Sequence, residues 1–235
     1  MKVRARAALT AAAKAVAVVS TIVMISMTAQ AAPNGADIAS KVKTAYESLK
    51  TVSLIAAVEY KEGKNLMAMK ASVMADLATN VIRLEITQHP VLEGQIVILD
   101  GNKNISTVYM PVTNQAFRGP SAKVASALGV DMTSFSPDQL LNIDINEALS
   151  IKYLRTEKID RLDYYVLETK PKQAPDTYQL VWVDAENYSV KQVEAYDAQK
   201  VRLVKVVIEE YKPNVKLDAK KLAELPKGTK ISEIK

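Results

Sequence analysis

The sequence predicts a mainly β protein of the α+β kind, built on a single strongly curved antiparallel sheet. That sheet would be an incomplete β-barrel of about ten to eleven strands with helices covering its open side. Three observations lead there. Apolar residues recur at every second position through two long blocks, turn residues separate the runs at short intervals, and a helical period appears only before, between and after the blocks.

The charge belongs mostly to the first residues. Of the formal +5, Lys2, Arg4, Arg6 and Lys14 fall in residues 1–31 with no acid, and the remainder carries 27 basic against 26 acidic residues. A net of +1 gives no concentrated positive surface for phosphates, so no nucleic-acid partner is expected. Met1–Arg6 is basic, Ala15–Met27 is apolar apart from Ser20, Thr21 and Ser26, and Ala29-Gln30-Ala31 offers small residues for cleavage. Residues 1–31 therefore read as a secretory signal peptide cleaved near Ala31. The apolar run of 13 residues is shorter than the ~20 a span needs. Residues 32–235 are expected to form one domain.

Counting removes several chemistries. With no cysteine there is no disulfide framework and no thiolate. The one histidine, His89, precedes Pro90 and reads as a loop residue. Seven glycines form no phosphate-cradling loop. Glu209 and Glu210 are neighbours on a strand, so they point to opposite faces and cannot cooperate in acid–base work. No catalytic residue, metal or cofactor is expected, and the chain does not read as an enzyme.

The elements follow in order. Ile38, Val42, Ala45, Tyr46 and Leu49 share a stripe from Gly35 to Lys50, with Asn34 as N-cap. From Val52 the period becomes two: Val52, Leu54, Ala56, Val58 and Tyr60 on one face, then the turn Glu62-Gly63-Lys64-Asn65. Met67, Met69, Ala71 and Val73 share the next face, and Ile82, Leu84 and Ile86 alternate with Arg83, Glu85 and Thr87. Gln95–Leu99 and Ile105–Met110 flank the turn Asp100-Gly101-Asn102, which completes a five-strand antiparallel meander. Ser121–Leu128 is Ala-rich and helix-compatible. Val130–Phe135 is an apolar loop, and Ser136-Pro137-Asp138-Gln139 starts a helix bearing Leu141, Ile145, Ala148 and Leu149. Strands resume at residues 151–158, 164–169, 178–183, 189–196 and 200–211, and Asp218 caps a last short helix.

A curved sheet must fill its apolar inner face with its own side chains or with a ligand. Strand alternation nominates Leu54, Ala56, Met67, Met69, Ile82, Leu84, Ile98 and Trp182 for that cavity, with Phe135, Leu141 and Ile145 on a helical lid between Leu128 and Leu149. Methionines suit irregular apolar partners.

Several short stretches, in order, resemble the LolA/LolB-like superfamily of periplasmic lipoprotein carriers. Ile96-Val97-Ile98-Leu99-Asp100-Gly101-Asn102, then Tyr109-Met110-Pro111 and Gln115, resembles its apolar strand, Asp-Gly turn and Tyr-x-Pro strand. Tyr165–Lys172, Leu180–Asp184 and Leu225-Pro226-Lys227-Gly228 resemble its later strands and terminal segment. The resemblance spans nearly all of residues 32–235. It implies a monomeric periplasmic half-barrel that takes up the acyl chains of lipoproteins or phospholipid and transfers them between envelope membranes. Its partners would be an inner-membrane release complex and an outer-membrane acceptor. Two features depart from the family pattern. Leu77-Ala78-Thr79-Asn80 stands where an Arg-Pro step ties the lid, leaving Arg83 without that role, and polar Asn104 and Ser106 replace the aromatic usual after Asp-Gly. The alternative on the same fold is a non-enzymatic envelope sensor that binds a protein partner or a lipid signal.

Overall fold

The computed structural model describes residues 34–62, 65–128, 149–171 and 176–235. Helix α1 (Gly35–Glu47) begins where Asn34 Oδ1 accepts the Ala36 N–H at 3.2 Å and ends before Ser48. It is followed by β1 (Thr51–Glu62), β2 (Asn65–Asp76), β3 (Val81–Gln88), β4 (Ile96–Asp100), β5 (Ile105–Met110) and β6 (Gln115–Pro120). Helix α2 (Ser121–Leu128) then precedes the second block: β7 (Leu149–Ile159), β8 (Leu162–Pro171), β9 (Tyr178–Asp184), β10 (Val190–Tyr196) and β11 (Arg202–Pro213). Helix α3 (Ala219–Ala223), with Asp218 as N-cap, and β12 (Lys230–Glu233) close the chain.

The twelve strands of the described residues lie in one open sheet in the order β12-β6-β5-β4-β3-β2-β1-β11-β10-β9-β8-β7. Each block is a meander, and the seam between them is the antiparallel pair β1–β11, which joins the first strand of one block to the last of the other. The mainly β class holds, with two strands beyond the ten read along the sequence. Short β6 lacks a continuous apolar run, and exposed β12 has no buried face to impose alternation. The sheet is also mixed: β12 pairs with β6 in parallel because the chain crosses the sheet after β11 before returning to its edge. Register shifts at Ile55/Ala56, Lys70/Ala71, Tyr153/Arg155 and Ala195/Tyr196 bend the strands locally. Asn80, Asn104 and Asn114 turn the chain with positive φ of 53°, 53° and 49°, a conformation asparagine tolerates better than most residues.

The register sorts every strand into two faces. On the inner face, Leu54 pairs with Val73 and Tyr211, Ala56 with Ala71 and Ile208, Val58 with Met69 and Val206, and Tyr60 with Met67 and Val204. Val73 continues to Leu84 and Ala75 to Ile82, and these continue to Val97 and Leu99. At the far side of the seam, Val193, Val181, Leu167 and Tyr153 lie in one inner row. Helix α1 buries Ile38, Ala39 and Val42 there against Leu167, Val181, Val183, Val190 and Val193. The backbone approach is close: a Cβ at Gly35 would lie 2.8 Å from Tyr153 N, so only glycine lets α1 start against β7. Helix α2 packs on β5 and β6, where Ser106 and Ser121 hydroxyls meet at 2.7 Å.

The outer face has its own cover. Ile96, Ile98, Tyr109 and Ala116 pack with Val81 and Leu225. Arg83, which is buried, donates from Nη1 to the Glu224 carbonyl and from Nη2 to Glu85 Oε2 at 3.0 Å. Arg83 thus ties the C-terminal segment to β3.

Candidate apolar ligand face

Between α1 over β8–β10 and α2 over β5–β6 lies the central band of the inner face, on β4, β3, β2, β1 and β11. Its floor is a core cluster that includes Ala56, Val58, Tyr60, Met69, Ala71, Leu84, Ile86, Val204, Val206 and Ile208. Leu54, Met67, Val73, Val97 and Tyr211 pack on that cluster but are only partly buried. Among the described residues, the inner-face positions of β1 from Val52 to Tyr60, of β2 from Met67 to Ala75, of β3 from Ile82 to Ile86 and of β4 at Val97 and Leu99 carry no charged side chain. An uncharged, partly exposed strip of this breadth solvates an apolar chain well and a charged one badly.

Tyrosines border the strip. Tyr46, in the last turn of α1, sets its ring 6.4 Å from that of Tyr211 at 51°. Burial pushes both phenols above their ordinary range, so both stay neutral at physiological pH. At the opposite side of the strip, Tyr60 Oη lies 2.9 Å from His89 Nε2. His89 is buried, and its Nδ1 accepts the N–H groups of Val91 and Leu92 at 3.1 and 3.0 Å. The loop histidine of the sequence reading is therefore a buried turn cap, a role its position before Pro90 did not reveal.

Six of the nominated cavity residues share the inner face: Leu54, Ala56, Met67, Met69, Ile82 and Leu84. Ile98 and Trp182 do not. Ile98 pairs with Arg83 and Thr107, which places it on the outer face under Leu225. Trp182 pairs with Val166 and Gln192 and packs with Tyr164 and Val166 on that same outer face. The physical reason is common to both: Ile96–Leu99 and Leu180–Val183 are apolar at consecutive positions because both sides of those strands are covered, so alternation cannot choose a face. Val97 and Tyr211, which the reading missed, are partly buried inner-face residues of β4 and β11. The lid residues Phe135, Leu141 and Ile145 lie outside the described residues. Among the described residues no group of three or more His, Asp or Glu side chains could hold a metal ion, and no helix is long and apolar enough to cross a membrane.

A family model described as "-like: Uncharacterized protein" matches residues 98–220, more than half of the chain. The chain belongs to that family. No curated protein matches it. An uncharacterized conserved protein from Thermus thermophilus has a similar structure, with a TM-score of 0.58 and 13% identity over 84% of this chain and 97% of that one. The structure of MucB in complex with MucA(peri) is similar at a TM-score of 0.50 and 9% identity, over 82% of this chain and 60% of that one. A LolA superfamily protein from Nitrosomonas europaea matches at a TM-score of 0.39 and 16% identity, over 82% of this chain and 99% of that one. The chain shares its fold with the Thermus thermophilus protein and with MucB.

Proposed function

We propose that the protein is a non-enzymatic periplasmic carrier whose inner face takes up the acyl chains of lipoproteins or phospholipid and passes them between envelope membranes. The observation that carries this reading is the uncharged strip of Leu54, Met67, Val73, Val97 and Tyr211, left partly exposed between two helices in a protein otherwise well supplied with charge. Apolar surface of that extent is retained where it has an occupant. Each methylene withdrawn from water contributes ~0.8 kcal/mol, so part of one acyl chain suffices for noncovalent carriage that remains reversible. Partner membranes supply and accept the cargo, and residues 1–31 serve export.

The fold also supports a second reading, a sensor module that binds a protein partner. The likeness to MucB in its complex with MucA(peri) favours it. Titration with a fluorescent fatty acid separates the two. A carrier takes up the probe near one to one and releases it to added phospholipid, and Leu54→Glu abolishes uptake. A protein with no uptake at micromolar concentration is not a carrier.

A further inference from the structure

Among the described residues, Asn80 Oδ1, Gln95 Oε1 and Trp182 Nε1 are buried side-chain atoms that meet no hydrogen-bond partner. Asn80 stands in the turn before β3, and Trp182 packs on the outer face. Gln95 is the one that borders the apolar strip.

Its place is set by a bulge. Gly94, at a φ of 80°, and Gln95 together stand opposite Ile86: the Gly94 N–H donates to the Ile86 carbonyl at 2.7 Å, and the Ile86 N–H donates to the Gln95 carbonyl at 2.9 Å. Gln95 therefore shares the inner face with Ile86, two residues and about 7 Å along the chain from Val97. Its side chain keeps to that face. Gln95 Nε2 donates to Met110 Sδ at 3.4 Å, and Met110 lies two positions beyond Val108, the partner of Val97. A thioether accepts and does not donate a hydrogen bond, so the amide nitrogen faces the sulfur and the oxygen is left over. Gln95 is 1% exposed, while Val97 and Met110 beside it are only partly buried.

An amide oxygen withdrawn from water without a donor is costly, and an apolar side chain of the same length would avoid the cost. A glutamine in that position fits a donor that arrives with the ligand. We infer that Gln95 reads the head of the bound chain, Oε1 accepting a hydrogen bond from a neutral N–H or O–H on the acyl ligand, as in an amide or an alcohol. The inference rests on the carrier reading and names the ligand class for the same strip. An ester or a carboxylate offers acceptors only, and a carboxylate would also bring its charge onto an uncharged face. Such ligands bind through the chain alone.

The test measures displacement of a bound fluorescent fatty acid by a primary amide, an alcohol and a methyl ester of one chain length, in the wild type and in Gln95→Met. Methionine matches glutamine in length and lacks the acceptor, so comparing the two proteins cancels the ligands' different solubilities. The ratio of amide to ester affinity is expected to be about tenfold higher in the wild type, with the ester bound equally by both proteins. A second readout needs no variant: in the nitrogen-labelled wild type, the Gln95 side-chain amide resonance should shift further with the amide than with the ester. Equal ratios in the two proteins, or equal shifts with the two ligands, overturn the inference and leave the carrier reading standing, since the oxygen would then be satisfied by water. Failure of the probe and of all three ligands to bind overturns both.

Discussion

Tyr60 and His89 form a buried hydrogen bond of 2.9 Å that links the middle of the sheet to the loop after β3. Because His89 Nδ1 already accepts two backbone N–H groups, the ring proton sits on Nε2, and Nε2 donates to Tyr60 Oη. Tyr60→Phe removes the Tyr60–His89 hydrogen bond, and His89→Ala strips the acceptor from Val91 and Leu92. Urea denaturation should show losses of about 1–2 kcal/mol for the first and about 2–3 kcal/mol for the second. His89→Asn, which can cap the same turn, should recover part of the loss.

The two faces make opposite predictions for the same substitution. Leu54→Glu places a carboxylate on the half-exposed strip, so folding should survive while fatty-acid uptake falls by at least about tenfold. Ile98→Glu buries the same group beneath Leu225, so the protein should lose about 3 kcal/mol or more while its folded fraction still takes up the probe. Leu84, at 8% exposure, is too deep for a clean test: Leu84→Glu would strike the core as well as the strip.

Arg83 holds the C-terminal segment, and its removal should free that segment first. Arg83→Met deprives the Glu224 carbonyl of its charged donor and leaves Glu85 unpaired. A loss of about 2–3 kcal/mol is expected, with faster limited proteolysis between α3 and β12 read by mass spectrometry.

Alkaline pH should destabilise the protein in a defined window. Burial, reinforced by donation to Glu194, pushes the Tyr196 phenol up from 10.0 to about 12. The folded state therefore holds this proton more tightly than the unfolded chain. Its stabilisation is complete below about pH 10 and is lost as pH rises toward 12. Thermal unfolding across that range should show a smaller decline in Tyr196→Phe than in the wild type.

Much of the fold was legible because its long strands are covered on one side. Val52–Tyr60 and Met67–Val73 carry an apolar residue at every second position, with Ile55, Ala57 and Ala68 the apolar exceptions between them, and each strand sits where that period puts it. The alternation failed where both faces are covered, at Ile98 and Trp182, since a strand buried twice loses its period. Strand β12 left no trace because its residues are exposed and its pairing with β6 depends on the preceding crossover. Arg83 could be placed on the outer face by its neighbours, but its partner is a backbone carbonyl 141 residues away, which no local pattern records. The polar side of the site was the least readable part: the His89 cap depends on the turn it closes, and the Tyr46–Tyr211 pair depends on α1 crossing to β11.

The central claim is that the inner face carries an acyl chain, and native mass spectrometry of the processed protein from its own envelope, followed by lipid extraction, tests it most directly. A carrier should retain acylated peptide or phospholipid near one to one, and Leu54→Glu should come out empty. A wild-type protein that is empty, and that stays empty when offered fatty acid, would contradict the claim and turn the search toward a protein partner.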